Sequence, residues 1–128
     1  MKGLRLFARR LSDADEPLLG AFWKQEKRSP PPSLPDGLIG FILGDLAVVA
    51  ALDHSGEDMV IRDLWVAQNL RRRRVARAML AEIEAEARAL GVTRILAHPS
   101  NELVEVFRRL GFEPEADGTM VRPVEGVR

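Results

Sequence analysis

The rhythm of apolar and polar positions changes repeatedly along the chain, and each rhythm predicts an element. Residues 3–9, GLRLFAR, alternate well enough for an opening strand. Ser12, Asp13 and Asp15 then offer N-caps for a helix reaching about Glu26, with Pro17 tolerated only in its first turn. Residues 28–37, RSPPPSLPDG, hold four prolines, which fix φ and deny donors to a ladder, so this stretch reads as a loop inside the domain. The spacing from Pro32 to Pro35 also fits a ligand for a proline-reading module, but a stiff connector is the plainer reading.

Three short apolar runs follow: GLIGFILGD, LAVVAALDH and DMVIRDLWVA. They are rich in Val and Ile and broken at Gly44-Asp45 and at residues 54–58, which predicts an antiparallel meander with a tight Gly-Asp hairpin between the first two. From Val75 the period becomes helical. Val75, Ala76, Met79, Leu80, Ile83, Ala87 and Leu90 share one face, and Gly91 stops the helix. A strand over 92–97, a break at His98-Pro99-Ser100, a helix from about Asn101 to Leu110 with Gly111 as its stop, and short strands near Phe112 and over 119–122 complete the chain. The expected order is β-α-β-β-β-α-β-α-β-β, an α/β (α+β) fold with a mixed, mostly antiparallel sheet flanked by helices.

Length and composition narrow the picture. A chain of 128 residues with 46% apolar and 30% charged side chains fits one folded domain over residues 1–128. No apolar run approaches the ~20 residues that span a bilayer, so no membrane partner and a cytoplasmic location are expected. The absence of Cys removes disulfides and thiolate chemistry, and two His residues are too few for a metal cluster, so no metal is expected. Lys+Arg and Asp+Glu are 19 each, so there is no global field to draw in nucleic acid. Any basic function is local.

The sharpest local feature is Arg71, Arg72, Arg73 and Arg74, with Arg77 one turn on, at the start of the long helix. Cations there oppose the helix macrodipole by about 0.3–1 kcal/mol each, a cost that a bound anion would offset. Guanidinium forks and free backbone N–H groups make such a turn a candidate phosphate cradle. The charge pattern fits equally well a solvated basic turn whose side chains meet nearby Glu residues. Nucleic-acid binding is a third reading, disfavoured by the scarcity of aromatics and the lack of any nucleic-acid-reading motif.

The surroundings of the turn carry a resemblance. The run DLWVAQNLRRRRVARAML over residues 63–80 resembles the signature of the GNAT family of N-acetyltransferases, in which a strand ending LxV leads through RGxGxG or RGxGxA into a helix. FRRLGF over residues 107–112 resembles the same family's closing motif, usually YxxLGF, and the spacing between the two is the family's.

The resemblance implies transfer of an acetyl group from acetyl-CoA, as co-substrate, to a primary amine by direct attack. It implies that Leu64, Trp65 and Val66 lie along the pantetheine arm, with the Val66 N–H as oxyanion donor. Arg71, Arg72, Arg73, Arg74, Val75 and Ala76 would wrap the pyrophosphate, and Asn101 and Phe107 would flank the cofactor from the far side. Two positions depart from the pattern. Arg72 and Arg74 stand where the motif has Gly, and Phe107 stands where many members have a Tyr general acid, in a chain with no Tyr.

Water, Ser100 or His98 are the remaining candidates to assist the departing thiolate. Asp63 is the candidate base, read alternatively as a surface residue or as an ion-pair partner of Arg62 or Arg94; Asp45 and Glu57, in turns, are weaker candidates. A homodimer is compatible with the short chain. The alternative function is a degenerate member that binds acyl-CoA or a protein partner without turnover.

Overall fold

The computed structural model describes residues 5–31, 36–70, 74–99 and 103–124. Its elements run β1 (Leu6–Arg10), α1 (Glu16–Gln25), β2 (Gly37–Ile42), β3 (Asp45–Ser55), β4 (Asp58–Val66), α2 (Val75–Ala89), β5 (Arg94–Ala97), α3 (Val104–Arg109), β6 (Glu113–Pro114) and β7 (Met120–Pro123). This is the order the apolar rhythm predicts. Among the described residues the strands form one sheet of seven, ordered β1-β2-β3-β4-β5-β7-β6, in which only β4 and β5 are parallel. A parallel pair needs a crossover, and α2 supplies it. The Pro32 to Pro35 spacing lies outside the described residues.

The sheet separates two apolar clusters. On one face α2 and α3 bury Met79, Ile83, Ala87 and Phe107 against Val48, Ala50, Met59, Ile61, Ile95 and Met120. On the other, α1 buries Leu19, Phe22 and Trp23 against Ile39, Val49 and Ala67. Each large apolar side chain fully buried here contributes about 1.5–3 kcal/mol. The helical face predicted for α2 is buried as expected at Val75, Met79, Leu80, Ile83 and Ala87, whereas Leu90 lies past the last turn and is 40% exposed.

One hairpin turn differs from the sequence expectation, and the other falls within the break expected at residues 54–58. In the β2–β3 hairpin Ile42 pairs with Asp45, so the turn residues are Leu43-Gly44 rather than Gly44-Asp45, and Asp45 already belongs to β3. Leu43 and Gly44 both take positive φ, 54° and 85°, the pattern of a type I′ turn whose twist matches the strands. The β3–β4 hairpin pairs Ser55 with Asp58 and puts Gly56, at φ 58°, first in its loop.

The entry to α1 is pinned by side chains. The Asp15 carboxylate accepts hydrogen bonds from Nη2 and Nη1 of Arg9, at 2.7 and 2.8 Å, and from the Ser12 backbone N–H at 2.9 Å. The Arg9 guanidinium and the Ser12 N–H hold this buried carboxyl down to about 2, against the opposing push of burial.

Candidate functional site

The site grows from an irregularity in β4. Ala51 pairs with Asp63 while Leu52 pairs with Ile61, leaving Arg62 as a bulge residue. A bulge shifts the two-residue alternation by one. Met59 and Ile61 therefore face the α2 side before it, and Leu64 and Val66 return to the same side after it. Trp65 and Ala67 turn to the α1 side, as alternation from Leu64 and Val66 predicts, and Trp65 meets Trp23 edge-on at 4.9 Å.

Past the bulge, β4 loses one neighbour. Its parallel pairing with β5 ends at Ile61 and Ala97, yet β4 continues to Val66. The Ala67 N–H donates to the Ala47 carbonyl at 2.8 Å. By antiparallel alternation Trp65 and Asp63 also bond to β3, and Leu64 and Val66 turn their N–H and C=O groups to the open side, where β5 has ended. The Leu64 N–H is taken by its neighbour's Asp63 Oδ1 at 2.9 Å. An open strand edge of this kind suits a ligand with its own amide groups, which can pair as a further strand would.

Beyond β4, a 3-10 turn at Gln68–Leu70 leads toward α2. Arg71, Arg72 and Arg73 lie outside the described residues. Arg74 is the N-cap of α2 and sits in the left-handed region, φ 61° and ψ 22°, with no side-chain cap hydrogen bond. The turn thus keeps the backbone conformation that a motif Gly serves, although a side chain occupies it. The first turn of α2 contains no acidic residue. Its N–H groups and positive dipole end, beside Arg74 and Arg77, therefore present a donor set suited to an anion. Among the described residues no ion pair joins Arg74 or Arg77 to a Glu, as the solvated-turn reading would have it.

The remaining candidates separate by position. Val75 is buried and Ala76 half-buried at the start of α2. Asp63 is exposed, and the ion pairs considered for it are made elsewhere: Arg62 contacts Asp53 at 3.4 Å and Arg94 contacts Asp58 at 2.9 Å. Asp58 raises the pKa of Arg94 through this contact. Asp45 opens β3, where it pairs with Ile42 of β2, and the Glu57 carbonyl accepts the Thr93 N–H. His98 follows the end of β5, is exposed, and brings Nδ1 to 3.5 Å from Thr119 Oγ1. Phe107 is 6% exposed and stands edge-on to Phe112 at 5.2 Å, so its ring belongs to the core. Ser100 and Asn101 lie outside the described residues.

Sequence reasoning missed the bulge, although its signal was present. Apolar residues at 59, 61, 64 and 66 slip phase by one between Ile61 and Leu64, as a bulge at Arg62 requires. It also missed the pairing of Arg122 with Glu84, which joins β7 to α2 at 3.3 Å and leaves no local trace in the sequence. No group of described residues is arranged to hold a metal ion, and no described helix is long and apolar enough to cross a membrane.

Comparison with known proteins agrees with this architecture. The model of the acetyltransferase (GNAT) family matches residues 3–112. Among solved structures, the ribosomal-protein-S18-alanine N-acetyltransferase from Escherichia coli superposes with a TM-score of 0.72 at 17% identity, covering 97% of this chain and 99% of that one. N-acetylglutamate synthase from Neisseria gonorrhoeae, complexed with coenzyme A and L-arginine, gives 0.77 at 19% identity over 97% of this chain, which spans 34% of the synthase. The GNAT domain of S. lividans PAT gives 0.72 at 22% identity, covering 91% and 89%. No curated protein matches the chain in sequence.

Proposed function

The chain belongs to the GNAT acetyltransferase family, and from that premise we propose that it transfers an acetyl group from acetyl-CoA to a primary amine by direct attack. The observation that carries this reading is the open edge of β4 leading, within a few residues, to the uncapped N-terminus of α2. A pantetheine arm offers amides for the first, and a pyrophosphate offers negative charge for the second. Leu64 and Val66 line the arm in this reading, with Trp65 between them bonded to β3 and packed on α1, and Arg71, Arg72, Arg73, Arg74, Val75 and Ala76 surround the pyrophosphate. Asn101 and Phe107 close the far side, Phe107 as an apolar wall.

In the reaction an unprotonated amine attacks the thioester carbonyl. The C–N bond forms, the Val66 N–H supports the developing oxyanion, and the C–S bond then breaks. Asp63, exposed and outside the described ion pairs, takes the proton lost by the nitrogen, directly or through water. The thiolate leaves without a Tyr acid, since the chain contains none. A thiol with an ordinary pKa of about 8.5 is a fair leaving group, and solvent can protonate it.

The test is release of free thiol from acetyl-CoA over a panel of small amines and peptides, with Asp63→Asn alongside. Turnover with at least one amine, lowered in kcat by Asp63→Asn while coenzyme A affinity holds, supports the reading. Retained coenzyme A binding with no turnover across the panel would instead establish a binding module. That second reading is favoured by one observation, the replacement of the usual Tyr by a buried Phe107.

A further inference from the structure

Helix α1 ends on a carboxylate, at the negative pole of its own dipole. Glu26 is the C-cap, where a negative charge is disfavoured unless a donor meets it. Its backbone is fixed by the way the helix closes. The Lys27 N–H donates to the Lys24 carbonyl at 3.2 Å and the Arg28 N–H to the Trp23 carbonyl at 2.9 Å, with Lys27 in the left-handed region at φ 55°. This pair of bonds is a Schellman closure, usually built on Gly. From that fixed base Glu26 Oε1 accepts the backbone N–H of Gln68 at 2.8 Å, across 42 residues of sequence.

Gln68 opens the 3-10 turn that follows β4, and the first N–H groups of such a turn have no partner within it. Two successive peptide planes beyond Val66 are thereby fixed from different layers of the fold. The Ala67 N–H is held by the Ala47 carbonyl on β3, which by trans geometry turns the Val66 carbonyl to the opposite, open side. The Gln68 N–H is held by Glu26 at the end of α1, while the Ala67 carbonyl accepts the Leu70 N–H at 2.8 Å. We propose that Glu26 is a positioning residue for the coenzyme A site, setting the direction in which the chain leaves the open edge of β4 for the start of α2. The inference rests on the proposed use of acetyl-CoA and adds to it a residue that acts through the Gln68 backbone rather than on the cofactor.

Isothermal titration of coenzyme A against the parent protein, Glu26→Ala, Glu26→Asp and Glu26→Gln, well below their melting temperatures, tests this. Glu26→Ala should weaken binding about fivefold or more, as expected when a charge-assisted hydrogen bond that orders the site is lost. Glu26→Asp keeps the charge but shortens the reach and should weaken binding similarly, so it serves if Glu26→Ala does not fold. Glu26→Gln keeps an oxygen acceptor of the same reach and should recover most of the affinity. Asp15→Asn loosens the opposite end of α1 and should leave the affinity unchanged, which separates positioning from a general loss of stability. In the ligand-free protein the Gln68 amide should exchange with solvent faster in Glu26→Ala or Glu26→Asp than in the parent. Parent-like affinity in Glu26→Ala or Glu26→Asp overturns the inference, as does a Gln variant no better than these, an equal loss in Asp15→Asn, or unchanged exchange at Gln68. A parent that binds no coenzyme A instead removes the proposed function itself, and this inference with it.

Discussion

Trp65 on β4 stands edge-on to Trp23 on α1, with ring centroids 4.9 Å apart and planes inclined at 71°. The contact ties the strand that carries the candidate site to the helix covering the opposite face of the sheet. Phe22 extends the aromatic contact, 5.3 Å from Trp23. Removal of the buried Trp23 side chain leaves a cavity under α1, so Trp23→Ala should cost about 3–5 kcal/mol in chemical denaturation. Trp23→Phe should cost distinctly less. Equal losses for the two would mean that neither the volume nor the ring that Phe retains contributes at this site.

The pair of Arg9 and Asp15 predicts a pH dependence. Asp15 titrates near 2 in the folded chain against an ordinary value of 3.8. Because the folded value is the lower, its contribution to stability is complete above about pH 4 and is lost as the pH falls toward 2. The Arg9 side chain is 44% exposed, so screening reduces this contribution to about 1–2 kcal/mol. Asp15→Asn should lose that amount at pH 7, and its denaturant midpoint should vary less than the parent's between pH 4 and pH 2. A parallel decline in both proteins would remove Asp15 from the account.

Leu43 occupies a position that favours Asn or Gly. It is 86% exposed and at φ 54°, directly before Gly44 in a two-residue hairpin. Leu43→Asn creates the Asn-Gly pair that type I′ turns prefer, and should stabilise the protein by about 0.5–1 kcal/mol, a rise of roughly 2–5 °C. A differential melting curve measures it. No change, or a lower midpoint, would argue against the I′ assignment.

These positions mark what the sequence could reveal and what it could not. The element order was legible because each element has its own period: alternation in the meander, the i, i+3, i+4 stripe from Val75 to Ala87, and Gly91 and Gly111 as stops. The hairpin turn was misplaced by one residue because Gly44-Asp45 and Leu43-Gly44 compete, and the register of Ile42 with Asp45 decides between them. The bulge at Arg62 decides which side chains of β4 share a face, and its phase slip in the sequence is a single residue. The Arg run made the start of α2 a candidate anion site, but nothing in that run announces that Arg74 takes the left-handed conformation of a Gly. Arg9 with Asp15 and Arg122 with Glu84 join distant or irregular segments, and no local pattern announces them.

Arg74 itself separates strain from binding. A non-Gly residue in the left-handed region costs about 1 kcal/mol, so Arg74→Gly should raise stability in the absence of ligand. It should also lower coenzyme A affinity if the guanidinium contributes to the cradle. A stabilised variant that binds coenzyme A more tightly would show that close backbone approach matters more at this turn than the added charge.

The central claim is that the edge of β4 and the start of α2 hold acetyl-CoA, and thermal melting with increasing acetyl-CoA tests it most directly. At about 100 times Kd the ligand should add roughly 2.7 kcal/mol of stability, a rise of several degrees, and Arg73→Ala with Arg74→Ala should reduce it. An unchanged melting temperature at millimolar acetyl-CoA would contradict the claim and leave a GNAT fold whose cofactor site has been lost.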